Sequence, residues 1–227
     1  MIAEFLPPLL EAAQVTVALT LGGAAISAPL ALAAGMARGS GRRALAWPAA
    51  VYVEFFRGTS LLVQLFWLYF VAPAFGLTLP AMTVGILAIG LNYGAYGAEV
   101  VRGAVAAVPR AQVEAGAALG LRPAAVFLRI VAPQAAAIML RPWGNLWIQM
   151  LKATSLVSLI ALNEVTFTAY QLNQLTLRTA EIFGLVLLIY FALASLIAAA
   201  VDRADARLAR WRAGAAPTPV RLTGAGP

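Results

Sequence analysis

The sequence has no cysteine and no histidine. Without thiols there is no disulfide framework, and without either residue there is no metal site built on Cys or His. The missing histidine also excludes a Ser-His-Asp hydrolytic set. No phosphate-cradling Gly-rich loop with its Lys is present, and no carboxylate pair sits within one apolar segment. The chain is therefore not expected to be an enzyme, with no catalytic residue, no metal ligand and no cofactor. Charge is the other scarcity. Only 11% of the 227 residues are charged while 62% are hydrophobic, a balance that points to an integral membrane protein. The formal net charge of +7 does not indicate a nucleic-acid partner, because no soluble basic domain carries it.

What is present is a set of five apolar stretches: 15–36, about 60–75 with an inward extension over 47–56, 82 to about 101, about 138–162, and 182–201. The first exceeds the roughly 20 residues needed to cross a bilayer. Glu4 and Glu11 precede it without a basic residue, so it lacks the positive segment of a signal peptide. Orientation follows from the arginines. Arg38, Arg42 and Arg43 follow the first span; Arg102, Arg110, Arg122, Arg129 and Arg141 lie between or at the ends of the third and fourth; Arg203, Arg207, Arg210, Arg212 and Arg221 follow the fifth. Five crossings put all of these on one face, with only Arg178 opposite. The positive-inside rule then places the N-terminus outside and the C-terminus in the cytoplasm. Residues 1–212 form the membrane domain, and 213–227, rich in Ala, Pro, Gly and Thr, reads as a disordered cytoplasmic tail. Segment 163–181 is an outer loop with some helix, and no internal repeat supports an inverted-repeat carrier.

The loop 109–133, PRAQVEAGAALGLRPAAVFLRIVAP, is too long and too structured for a plain connector. Strong helix formers over 111–119, Gly120 at a helix end and Pro123 at the next helix start predict helix, elbow, helix. Phe127 and Ile130, three residues apart, are expected to project as knobs into a partner's groove. A basic helix pair lying on lipid headgroups fits the same residues.

Polar side chains inside the spans form two stripes. Asn92, Tyr96 and Glu99 share one helical face, and Asn145, Gln149 and Lys152 share another, with Thr154, Ser155 and Ser158 continuing it. Intramembrane polar groups line pathways, so Asn92, Tyr96, Asn145, Gln149 and Lys152 are candidates for a common translocation cavity. They serve equally as interhelical hydrogen-bond glue, with Lys152 paired to a carboxylate such as Glu164. Glu99 with Arg102, and Glu54 with Arg57, read as structural i, i+3 ion pairs. Gly85, Gly90, Gly94 and Gly97 would admit a close helix, and Thr16 and Thr20 satisfy their hydroxyls on the preceding turn.

Glu114-Ala115-Gly116, followed by Gly120, Ile130 and Pro133, resembles the EAA loop of binding-protein-dependent ABC importer permeases, with Gly116 in place of the usual second Ala. Residues 54–64 (EFFRGTSLLVQ), 91–109 (LNYGAYGAEVVRGAVAAVP) and 151–160 (LKATSLVSLI) are similar to the polar amino-acid branch, where Ser60 replaces a usual Pro. Within it, FFRGTSLLVQLFW and PWGNLWIQMLKATSLVSLI are most similar to ectoine and hydroxyectoine importer permeases. The resemblance covers about residues 12–212. It implies an all-α, five-span permease core in a bacterial inner membrane, imported solutes being polar amino acids or a compatible solute such as ectoine. It further implies ATPase subunits, a second permease subunit, the same or homologous, and an extracytoplasmic solute-binding protein as partners, besides membrane lipid. Glu114, Ala115, Gly120, Phe127, Ile130 and Pro133 would form the ATPase-coupling loop. Two other classes remain on the residues alone: an ion-coupled carrier or channel subunit not driven by ATP, and a structural membrane scaffold.

Overall fold

A chain in lipid must satisfy its backbone polar groups internally, which a helix does without help from neighbours. The computed structural model describes residues 2–214, and every regular element among them is helical. In order these are α1 (Ile2–Gly39), α2 (Arg43–Gly58), α3 (Leu61–Phe66), α4 (Ala81–Ala106), α5 (Arg110–Ala118), α6 (Pro123–Val126), α7 (Ala132–Ala153), α8 (Val165–Thr176) and α9 (Thr179–Gly214). Helix α3 continues through a π-helical turn, Trp67–Val71, and a 3-10 turn, Ala72–Phe75. Helices α6 and α7 join through a π-helical turn, Phe127–Val131.

Among the described residues, four helices are long and apolar enough to cross a membrane: Glu4–Gly39, Ala81–Ala106, Pro123–Ile160 and Thr179–Leu208. A fifth span is completed by Arg43–Gly58 with Leu61–Phe75, a pair bent by 100°. The five-span all-α expectation therefore holds, with its second span broken rather than straight. The bend lies at Thr59 and Ser60, where both residues are extended.

Helix α4 is the centre of the bundle, and α1 is its most extensive neighbour. The predicted glycine face of α4 is where α1 approaches. A Cβ on Gly90 would lie 2.7 Å from Ile26 Cβ, and one on Gly97 would lie 2.7 Å from Ala31 Cβ. Gly35 of α1 answers them, since its Cβ would meet the Ala98 carbonyl at 2.6 Å. Close backbone approach of this kind supplies packing where lipid offers no hydrophobic drive. Leu19, Leu65, Ile89, Met150 and Ile160 fill the middle of the bundle; Ala31, Val101, Val131 and Met139 fill one end of it.

Three boundaries differ from the sequence expectation. The fourth span begins at Pro123 rather than near residue 138, because the second loop helix runs straight into it. Segment 163–181 is mainly helical, α8 being capped by Glu164, whose carboxylate accepts the Phe167 N–H at 2.8 Å. Helix α9 extends to Gly214, so residues 213 and 214 of the expected tail are helical, and the rest of that expected tail lies outside the described residues.

Candidate functional site

The loop between α4 and α7 is a helical hairpin whose elbow is a glycine-dependent cap. Gly120 has φ +74°, the Gly120 N–H donates to the Ala117 carbonyl (2.9 Å), and the Leu121 N–H donates to the Gly116 carbonyl (3.2 Å). These two bonds satisfy carbonyls that the end of α5 would otherwise leave open. Pro123 opens α6, where its missing N–H has no consequence. Gly116 lets the facing helix come close: a Cβ there would lie 2.8 Å from Ile130 Cδ1 and 3.1 Å from Val126 Cγ2, so the Ile130 side-chain end would have to shift. The departure from the usual Ala is thus matched to bulky neighbours on the facing helix.

Phe127 and Ile130 do not project. Ile130 packs on Gly116, and Phe127 packs into the inner cluster that contains Val108 and Val131. They hold the hairpin together from the π turn that carries them, Ile130 against α5 and Phe127 against the end of α4. The large apolar side chains left outward are Leu119, 79% exposed, Leu128, 68% exposed, and Val113, 41% exposed, while Glu114, Ala115 and Pro133 also lie on the surface. A cleft of about 330 Å³ opens beside them, with Val108, Val113, Ala117, Val126 and Phe127 among its walls. Pro133 sits inside the continuous helix, and the Gln134 amide donates to the Ile130 carbonyl at 2.8 Å, supplying a donor next to the proline that has none.

The five pathway candidates divide. Asn92 is buried, and its amide donates to the Phe56 carbonyl (2.9 Å) and to Gln64 Oε1 (3.2 Å). Gln64 in turn donates to the Phe56 carbonyl (3.1 Å) and to Thr59 Oγ1 (2.7 Å). These amides satisfy the end of α2 at the 100° bend, so Asn92 is hydrogen-bond glue of the kind weighed above. Gln64 was missed; its signal was an amide inside an apolar run directly after Gly58 and Thr59. Asn145, Gln149 and Lys152 form an exposed stripe on α7, opposite its core-facing Trp143, Trp147 and Met150. Tyr96 is 39% exposed on α4. Lys152 lines a groove of about 620 Å³ between α7 and α9 with Ile148, Tyr190 and Ser195.

The expected ion pairs are partly rearranged. Arg102 does chelate Glu99, with Nη2 and Nε at 2.8 and 3.1 Å from Oε2. Arg38 at the end of α1 takes the other Glu99 oxygen and also reaches Glu54 at 3.3 Å. Glu54 therefore pairs across helices rather than with Arg57, whose guanidinium lies 5.4 Å from the centre of the Tyr96 ring. Glu164 pairs with no lysine. Fully buried, it accepts Tyr190 Oη–H at 3.0 Å besides the α8 amide, and burial pushes its carboxyl above the ordinary 4.5 despite the hydrogen bonds from Thr166, Phe167 and Tyr190 that pull it down. Thr20 donates back to the Thr16 carbonyl as expected (2.8 Å), and Thr16 additionally accepts the Val165 N–H at 3.4 Å.

Comparison with known proteins is consistent across the chain. It is 40% identical over 215 residues to a probable amino-acid ABC transporter permease of Sinorhizobium fredii, covering 92% of this chain and 90% of that one. It is 34% identical over 205 residues to the glutamine transport system permease of Escherichia coli K12, covering 89% and 94%. A crystal structure of an amino acid ABC transporter with histidines superposes with a TM-score of 0.84 at 30% identity, covering 90% of this chain and 96% of that one. The methionine ABC transporter MetNI in inward-facing conformations shares the fold, with a TM-score of 0.75 at 19% identity over 90% and 98% of the two chains. Residues 27–211, which include the hairpin and every span after the first, match the family described as binding-protein-dependent transport system inner membrane component. The chain belongs to that family, and is a membrane permease subunit of ABC-transporter type rather than an enzyme.

Proposed function

We propose that the chain is the permease subunit of an ATP-driven importer of polar amino acids, residing in a bacterial inner membrane with its N-terminus outside and its C-terminus in the cytoplasm. The observation that carries this reading is the family match over residues 27–211, together with relatives named as amino-acid permeases at 34–40% identity over about nine-tenths of the chain. Its partners are ATPase subunits on the arginine-rich face, a second permease, the same or homologous, and an extracytoplasmic solute-binding protein. The exposed stripe of Asn145, Gln149 and Lys152 supports a pathway completed by that second subunit, since polar groups at such depth avoid lipid.

Loop 109–133 is the coupling element, with Glu114, Ala115 and Gly120 at its surface and Phe127, Ile130 and Pro133 fixing its shape. In this reading, closure of the ATP-bound subunits moves the hairpin, and the continuous helix 123–160 transmits that movement into the membrane. The close packing of Ile130 on Gly116, which ties the two arms of the hairpin together, supports this transmission. Within the amino-acid class, ectoine is the narrower candidate, motivated by FFRGTSLLVQLFW and PWGNLWIQMLKATSLVSLI.

The test is uptake of labelled amino acids and of ectoine by the reconstituted importer, with and without ATP. ATP-dependent uptake that Glu114→Lys or Gly120→Pro abolishes, together with loss of ATPase association, is the expected result. Uptake that needs an ion gradient and no ATP would replace the reading with an ion-coupled carrier. Flux of ectoine that excess amino acid does not reduce would move the substrate to the narrower class.

A further inference from the structure

Arg57 ends α2 at the bend, and its surroundings differ from those of every other arginine in the inner half of the bundle. Arg38 and Arg102 occupy the two oxygens of Glu99, and Arg38 also holds Glu54. The cluster thus has three guanidinium groups, Arg38, Arg57 and Arg102, against two carboxylates, and the surplus charge is Arg57. Its charge reaches Glu99 through space, but among the described residues it makes neither salt bridge nor side-chain hydrogen bond there, and its one close partner among them is the face of Tyr96. A ring face stabilises a cation while leaving its N–H donors free.

Depth decides what those donors can serve. Tyr96 lies fewer than three residues beyond the middle of α4 (Ala81–Ala106), which is about 4 Å along the axis. Arg57 and Tyr96 are both exposed on the chain. An arginine held inside a membrane span faces a partner or water rather than acyl chains, and a planar guanidinium with free donors fits a carboxylate in two-point fashion. Glu54, one turn earlier on the same helix and 69% exposed at its side chain, gives only Oε1 to Arg38, so its Oε2 offers an opposite charge about 5–6 Å away between Cβ atoms. That spacing suits a small zwitterion.

We infer that Arg57, presented by the Tyr96 ring, binds the carboxylate of the transported solute on the translocation path, with Glu54 facing the solute's cationic group. The inference rests on the importer reading, and the substrate class it names is the zwitterionic α-amino acid or a cyclic amidine carboxylate of the same charge pattern. Tyr96 is a positioning residue for the guanidinium, and Arg57 is the residue that touches solute.

The chain has no cysteine, so Arg57→Cys introduces its only thiol. In the complete importer reconstituted into liposomes, this thiol should react with the membrane-impermeant anionic reagent 2-sulfonatoethyl methanethiosulfonate much faster than Leu196→Cys, a control on the face of α9 turned away from the groove that holds Lys152. In the same vesicles, Arg57→Gln should lower ATP-driven uptake of a mixture of carbon-14 amino acids by roughly tenfold or more, the loss of one charge-assisted pairing. Arg57→Lys should recover part of it, while binding-protein-stimulated ATP hydrolysis persists in both. Tyr96→Phe should behave as wild type and Tyr96→Ala should not. A thiol at 57 no more reactive than that at 196, or full uptake by Arg57→Gln, overturns the inference. Failure of the wild-type importer to take up any amino acid would instead overturn the importer reading, and thiol access would still judge Arg57.

Discussion

Asn92→Ala separates a structural amide from a pathway amide, and its size can be worked from the contacts. The substitution removes two hydrogen bonds, to the Phe56 carbonyl and to Gln64 Oε1. The Phe56 carbonyl keeps Gln64 as a donor, but Gln64 Oε1, on a buried side chain, loses its partner. Hydrogen bonds between membrane helices average about 0.6 kcal/mol each, and a buried acceptor left open costs about 1–3 kcal/mol. The expected loss is about 1–3 kcal/mol, a shift of about five- to more than a hundredfold in the folding constant. Asn145→Ala and Gln149→Ala, at exposed positions on α7, should stay within about 0.5 kcal/mol. The assay is unfolding in mixed micelles with increasing dodecyl sulfate, followed by tryptophan fluorescence. Uptake per folded molecule should be retained by Asn92→Ala and reduced by the two α7 variants. An unfolding midpoint for Asn92→Ala no different from those of the α7 variants would refute the assignment.

Two further outcomes follow from the packing and the buried acid. Gly90→Val should destabilise the bundle, because the first added carbon already lies 2.7 Å from Ile26 Cβ, an atom fixed to the backbone of α1; thermal unfolding should show a shift of about 2 kcal/mol or more, and a silent variant would mean that α1 and α4 are not so close. Glu164 holds its proton more tightly folded than unfolded, so its contribution is full below the ordinary 4.5 and is lost as pH rises through the raised folded value. The unfolding temperature of wild type relative to Glu164→Gln should therefore fall from acid toward neutral pH, and a difference that rises or stays flat would contradict the burial argument.

Much of the architecture was legible because lipid leaves few choices. Apolar length gave the spans, and the α4 glycines announced a close neighbour without saying that it was α1. The elbow was readable to the residue, since a left-handed position before a proline-started helix has few sequence solutions. The broken second span was not, because Thr59 and Ser60 interrupt the helix only when Gln64 and Asn92 are present to satisfy its end. The hairpin side chains misled for a related reason. Helical spacing puts Phe127 and Ile130 on one face, but the π turn at Phe127–Val131 changes which way that face looks.

The ion pairs show most clearly where local spacing stops being informative. Glu54 and Arg57 stand at i, i+3, the same arrangement as Glu99 and Arg102, and on an isolated helix both pairs would close with similar small gains. In the bundle only one does. Arg38 arrives from α1 because Gly35 and Gly97 bring α1 against α4, and from there it reaches Glu99 and Glu54 together. A guanidinium with two carboxylates in reach is worth more than an exposed pair within one turn, where the median gain is about 0–1 kcal/mol. Glu54 is drawn to Arg38, and Arg57 is left to the ring of Tyr96. The close α1–α4 packing therefore does more than hold two helices together: by assigning both carboxylates to other partners, it leaves one intramembrane arginine with donors to offer.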